Sequence, residues 1–266
     1  MNGEPNLVAI NVGNTRTQVG QFVDGRLARV ERLPDAELAA IVECVKIWWR
    51  EIAEAEHASI VIASVCNVTA DRIASAIEDQ LSVSIYRIGD DLPAPIGRQL
   101  DPETITGVDR LLNAAAAYDT VRQACIVVDA GTAVTVDFVD GEGVFHGGAI
   151  APGAAMQLKS LNEHTEDLPE ISFQRPNVRT FGRSTSQAML NGVFHGIRGM
   201  VWKLVEQYAE RYGAFPMVIA TGGDAPLLFE RDELIDRIVP DLTLLGIAAA
   251  ARYALAGDDA DADLRR

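Results

Sequence analysis

Two short stretches of this chain carry the residue types that hold an anion. Asn11, Gly13, Asn14 and Thr15 make up the first; Asp129, Gly131 and Thr132 make up the second. Each follows a run of apolar, mostly β-branched residues, over 7–10 and 126–128, and each precedes the same phrase: Phe22, Val23, Asp24, Gly25 and Phe138, Val139, Asp140, Gly141. A strand that ends in a small glycine-containing turn and returns as a second strand points backbone N–H groups at an anion. Glycine lets that backbone come close to a phosphate, and Asn14 and Thr15 add side-chain donors. Two such turns facing each other would clamp a phosphate chain. They differ in charge, because Asp129 stands where the first copy has Asn11. A carboxylate at the end of a buried strand is costly unless it meets a cation or donors. Asp129 is therefore a candidate cation holder, with capping of its own turn as the alternative.

A second constellation is Asp109 and Arg110, at a helix start just after Gly107. Aspartate is favoured there by the helix dipole alone. Its chemical use is as a general base, with the arginine binding an anion or a carboxylate. Adjacent helical residues project roughly 100° apart, so the two could address different parts of one substrate. Gly192, Gly196 and Gly199 share one helical face, a pattern of close helix packing inside the chain or between subunits. His57, His146, His164 and His195 have no metal-ligand spacing. Cys44, Cys66 and Cys125 are far apart in apolar stretches and read as buried small hydrophobes.

The elements that must position these groups follow from periodicity. Strands are expected over 7–12, 18–23 and 26–32, with Asp24 and Gly25 as a hairpin turn. A helix over 35–49 and a strand over 59–63 follow, then a helix capped by Thr69 and a strand over 82–88. Pro93, Pro95 and Pro102 punctuate a loop that marks a domain boundary, and a helix over 111–118 comes next. Strands over 124–129, 134–139 and 143–148 repeat the opening, with a turn at Asp140 and Gly141. Helices ending near 162 and spanning 184–212, a strand over 217–220 and a helix over 245–256 complete the chain. Three strands, a helix, a strand and a helix, given twice, is the order of the duplicated actin-like (ribonuclease H-like) α/β fold. That fold implies two domains with a central cleft, divided here as 1–105 and 106–256, with an acidic disordered tail over 257–266.

Bulk properties agree. The 266 residues exceed the usual single-domain size, and 48% hydrophobic with 23% charged residues suits a globular core. A net charge of −15 with no basic stripe argues against a nucleic-acid partner. No basic segment and apolar stretch mark a signal peptide, and no apolar run is long enough for a membrane span, so a cytoplasmic protein is expected.

At this point the sequence resembles the type III pantothenate kinases over nearly its whole length. The resemblance is carried by Val12 to Thr15, Ile62 to Val65, Gly107 to Asn113, Asp129 to Ala133, Gly147 to Gly153, Leu161 to Thr165 with Leu168 and Pro169, Gly182 to Met189, Ala220 to Gly223, and Asp241 to Gly246. Each segment is modest; their order and spacing are specific. The resemblance implies ATP-dependent phosphorylation of pantothenate, the first step towards coenzyme A, by a homodimer. It implies that Asp109 takes the proton from the pantothenate hydroxyl, that Arg110 and Gly107 help bind the substrate and that Thr185 hydrogen-bonds it. It places ATP on Asn11, Gly13, Asn14, Thr15, Gly131, Thr132, Gly222 and Gly223. It implies Mg2+ with the nucleotide and a monovalent cation, K+ or NH4+, at Asp129. Two departures stand out. The family has aspartate where this chain has Asn11, and it has a tyrosine shortly before Pro102, where Gln99, Leu100 and Asp101 provide none. The first keeps open a catalytically impaired homologue that binds nucleotide or pantothenate. The second keeps open a related small-molecule kinase.

Overall fold

The computed structural model describes residues 4–177 and 181–264. Strands β1 (Asn6–Val12), β2 (Arg16–Val23) and β3 (Arg26–Pro34) lead into α1 (Leu38–Ile52), β4 (Ala58–Ser64), α2 (Asn67–Leu81), β5 (Ile85–Arg87) and β6 (Gly97–Arg98). Then come α3 (Val108–Val121), β7 (Cys125–Ala130), β8 (Ala133–Val139), β9 (Val144–Pro152), α4 (Ala154–Glu163) and α5 (Thr185–Tyr212). The chain closes with β10 (Met217–Thr221), α6 (Ala225–Phe229), β11 (Arg237–Ile238) and α7 (Leu242–Leu264).

The strands form two mixed sheets, one of order β3-β2-β1-β4-β5 and one of order β11-β10-β7-β8-β9-β6. Without β6, the second order read backwards repeats the first. The directions repeat too. β1, β2 and β3 are antiparallel neighbours, with β4 and β5 parallel to β1. β7, β8 and β9 are antiparallel, with β10 and β11 parallel to β7. This is the duplicated actin-like topology.

Local chemistry explains the hairpins. Asp24 and Gly25 both adopt left-handed backbone, with φ of 47° and 71°, as a two-residue turn matched to strand twist requires. The turn expected at Asp140 and Gly141 is longer. Asp140 Oδ1 accepts the Val144 N–H at 2.9 Å, and Gly143 supplies the positive φ of 79°. The long helix α5 starts and ends as its sequence predicts: Ser184 Oγ accepts the Gln187 N–H, and Gly213 terminates it in left-handed conformation.

The packing corrects the expected domain division. The chain forms two compact units, one of Met1–Ile96, Pro102–Asp119 and Leu242–Arg266, the other of Gly97–Asp101 and Thr120–Asp241. Helices α3 and α7 thus belong with the first sheet, not with the second half. The reason is burial on both faces of β1. Val8 and Ile10 pack under α1 and α2 with Ile41, Val45, Ile73 and Ile77. Leu7 and Ala9 point the other way and are covered by Leu112 of α3 and Leu244 and Ile247 of α7. A buried hydrogen bond from Thr243 Oγ1 to Asn113 Oδ1, 2.7 Å, ties the two helices. In the second unit, α4, α5 and α6 bury Leu158, Val193, Ile197 and Phe229 against Ile126, Val128 and Val136.

Three further expectations are corrected. Helix α2 begins at Asn67, with Cys66 rather than Thr69 at its N-cap. Strand β5 is short because Ser82 takes left-handed backbone, φ 53°, to end α2. Of the 257–266 stretch expected to be a disordered tail, the part up to Leu264 continues α7, and 265–266 lie outside the described residues.

Candidate active site

In the first unit the site is built at the C-terminal end of β1. The chain leaves Val12 and turns through Gly13, Asn14 and Thr15 into β2, closed by a Gly13 N–H to Arg16 carbonyl bond of 3.1 Å. A Cβ on Gly13 would lie only 3.0 Å from that same carbonyl. Asn14 and Thr15 are exposed, while Asn11 is half-buried. Asn11 Nδ2 donates to Gln18 Oε1 at 3.3 Å. Nearby, Thr17 Oγ1 donates to Asp35 Oδ1 at 2.8 Å.

The first turn of α3 stands at the same sheet edge. The Val65 N–H donates to the Val12 carbonyl at 3.2 Å, and Val65 Cγ1 lies 3.9 Å from where a Cβ on Gly107 would sit. That Cβ would also lie 2.6 Å from Asp109 Oδ1, so any side chain at 107 would crowd the carboxylate. Asp109 Oδ1 accepts the Arg110 N–H at 2.8 Å. Burial pushes the Asp109 carboxyl above its usual range; the Arg110 N–H and guanidinium pull part of the way back. A desolvated carboxylate is the stronger proton acceptor, as a general base needs.

The second unit repeats the turn in tighter form. The Gly131 N–H donates to the Ala133 carbonyl at 2.9 Å. Asp129 lies half-buried on β7, with Thr221 of β10 directly opposite. Gly222 follows with φ 93°, and a Cβ there would meet the Ala130 carbonyl oxygen at 2.3 Å and Asp129 Oδ1 at 2.5 Å. Only glycine fits, which leaves the Asp129 carboxylate flanked by backbone. A Cβ on Gly223 would meet nothing within 4 Å. Asp224 donates its N–H to Ala130 at 2.9 Å, and burial pushes its carboxyl up. Gly153 closes the other side, its N–H bonding the Thr132 carbonyl at 3.0 Å.

The structure therefore gathers the sequence candidates into two groups. Asn11, Gly13, Asn14, Thr15, Gly107, Asp109 and Arg110 lie at one end of the first sheet. In the second, Gly131 and Gly222 lie against the Asp129 carboxylate, with Thr132 and Gly223 next to them in the chain. Thr185 is the exposed first residue of α5 and shares none of those contacts. Sequence reasoning missed Gln18 and Asp224. Gln18 occupies an inward position of β2, in step with Gly20 and Phe22, so its polarity on that stripe was a readable signal. Asp224 gave none beyond its place after two glycines. Cys44 and Cys66, both half-buried, also depart from expectation. Cys125 is buried, with its thiol pushed up to about 12. Cys66 is only half-buried, and the Thr69 hydroxyl and N–H hold its thiol below the usual range.

Two five-strand layouts of one order, each with a glycine turn after its first strand, define a duplicated actin-like ATPase fold, here with a desolvated aspartate beside one of the turns. The family described as type III pantothenate kinase matches residues 7–207. A type III pantothenate kinase of Rhodospirillum rubrum is 36% identical over 248 residues, covering 91% of this chain and 96% of that protein. Its counterpart in Dehalococcoides mccartyi is 31% identical, covering 91% and 95%. Among solved structures, the (R)-2-hydroxyglutaryl-CoA dehydratase component A of Acidaminococcus fermentans aligns with a TM-score of 0.55 at 15% identity, covering 94% of this chain and 98% of that one, a likeness in fold. The chain belongs to the type III pantothenate kinase family.

Proposed function

We propose that this chain transfers the γ-phosphoryl group of ATP to the hydroxyl of pantothenate, giving 4′-phosphopantothenate for coenzyme A biosynthesis. The observation that carries the proposal is Asp109, a desolvated carboxyl at the start of α3 beside the β1 turn. Asp109 accepts the hydroxyl proton as the pantothenate oxygen bonds to the γ-phosphorus. The bond to the bridging oxygen breaks and ADP leaves with its electron pair. A positioned base contributes on the order of 10²–10⁴-fold to such a step, and positioning with charge neutralisation supplies the rest. Arg110 binds the pantothenate carboxylate and Thr185 hydrogen-bonds the substrate. The N–H groups of the two turns cradle the phosphates, and Gly222 and Gly223 lie against the nucleoside.

Asn11 and Asp129 offer hard oxygen donors. Among the described residues no three His, Cys, Asp or Glu side chains form a metal cluster. Either oxygen alone fits Mg2+, which is commonly held by one or two protein oxygens plus substrate phosphates. When bound it neutralises charge on the phosphates. Asp129 also holds a monovalent cation, K+ or NH4+. The working form is a homodimer. Gly192, Gly196 and Gly199 support this, because a Cβ on any of them would meet nothing within 4 Å inside the protomer. No described helix is long and apolar enough to cross a membrane, in keeping with a cytoplasmic enzyme.

The test is purified protein with pantothenate, ATP, Mg2+ and K+, with the product read by mass spectrometry. The proposal expects 4′-phosphopantothenate, less of it when K+ is replaced by Na+. Product no higher than in a protein-free control ends this reading. Asn11→Asp separates an impaired enzyme, whose turnover it raises strongly, from one adapted to asparagine.

A further inference from the structure

We infer that Gln18 is a positioning residue whose side-chain carbonyl fixes the Asn11 amide so that Asn11 Oδ1 is the atom β1 offers to the phosphate-bound metal. The inference rests on the proposed use of a metal–nucleotide complex.

The argument starts from register. Across the first sheet, Arg32, Gln18, Asn11 and Ala63 stand directly opposite one another. Side chains so placed lie about 4.5–5.5 Å apart at Cβ, within reach of each other's hydrogen bonds. Gln18 Oε1 accepts from Asn11 Nδ2 at 3.3 Å. On the other flank Ala63 offers only a methyl group. The corresponding row of the second sheet is Ile150, Thr135, Asp129 and Thr221.

The two rows pose different chemical problems. A carboxylate has two equivalent oxygens, so Asp129 presents an acceptor whichever way it rotates. A carboxamide has one acceptor end and one donor end, so Asn11 meets a cation well in one orientation and badly in the other. An asparagine in this position needs a neighbour that consumes its N–H, and Gln18 is placed to do so. The first half thereby keeps an oxygen ligand while giving up a charge.

The experiment measures Mn2+ affinity of the protein in the presence of ADP, by electron paramagnetic resonance, on the full chain. Gln18→Met matches the size but removes the acceptor, and it should weaken Mn2+ binding about 3- to 10-fold while leaving metal-free ADP binding in EDTA unchanged. Gln18→Glu keeps an acceptor and should hold Mn2+ affinity at or above the unaltered level. In an Asn11→Asp background, Gln18→Met should lose its effect, because either carboxylate oxygen serves. The inference is overturned by an unchanged affinity in Gln18→Met, by an equal loss in both backgrounds, by a loss in Gln18→Glu, or by no Mn2+–ADP binding at all. Pantothenate turnover is followed separately. The expected Mn2+ pattern without product would retire the proposed reaction and leave the role of Gln18 standing.

Discussion

The two sheets share strand order, direction and a glycine turn, yet their turns differ in nearly everything a ligand would feel. The first is wider, carries Asn14 and Thr15 as extra donors and ends β1 in a neutral amide held by Gln18. The second is shorter, ends β7 in a carboxylate and is walled by Gly222 and Gly153. Duplication preserved the backbone cradle, which depends on strand geometry, while the charged groups diverged. The desolvated carboxyl of Asp109, the proposed base, lies in the first unit at the start of α3. The half-buried carboxylate of Asp129, the proposed cation holder, lies in the second.

The sharpest way to break this division is Asp109→Asn. Turnover should fall on the order of 10²–10⁴-fold, with ATP binding retained. The same change should raise the melting temperature at neutral pH. The folded pKa of Asp109 lies above its unfolded value, so at neutral pH the native state carries a desolvated charge. That cost disappears as pH falls through the folded pKa, and the neutral isostere removes it outright. For activity the sign is opposite, since a protonated Asp109 cannot accept a proton. The acid limb of kcat/KM should therefore lie above the range of an ordinary aspartate, and Arg110→Gln should move it higher still. A limb at the ordinary position would show that Asp109 is not the base.

Next in size is the charge asymmetry. Asp129→Asn should weaken Mg2+-dependent ATP binding roughly 10- to 100-fold, the scale of one interaction with a charged group, as titration calorimetry would read. Asn11→Ala should cost less. If the two losses are equal, the halves do not divide the work as described.

A smaller effect distinguishes the walls. Gly222→Ala forces a side chain into left-handed backbone and onto the Ala130 carbonyl, and should destabilise by about 1–3 kcal/mol in urea unfolding. Gly13→Ala, which meets its nearest atom at 3.0 Å, should cost less. The smallest is Gly196→Ala. Helix propensity should stabilise the protomer by about 0.5–1 kcal/mol, while the proposed dimer, followed by sedimentation, should weaken.

Much of this was legible in the chain. The paired turns, the hairpin at Asp24 and Gly25, and both ends of α5 follow from residue chemistry acting over a few positions. The grouping of α3 and α7 does not. Periodicity shows that Leu112, Leu244 and Ile247 must be covered, without saying which sheet they meet. A two-residue strand such as β6 has no period to detect, so the segment Gly97–Asp101 reads as a proline-flanked loop although it joins the second sheet. The start of α2 was misplaced because Thr69 is the better cap by type, while the chain begins its helix as it leaves Ser64, whose Oγ accepts the Cys66 N–H at 2.8 Å. The partnership of Gln18 with Asn11 depends on cross-strand register, which side-chain alternation alone leaves open.

The return of α7 to the first sheet has a consequence for biosynthesis. Leu7 and Ala9 are made well before Leu244 and Ile247, which form part of their cover. Domains tend to fold as they emerge from the ribosome. Here the second unit lies almost wholly between α3 and α7, so its residues are complete while the first sheet still shows an apolar face. The half whose sheet is translated first is the half whose cover is completed last, and a stop before Leu244 would strip that cover from its core.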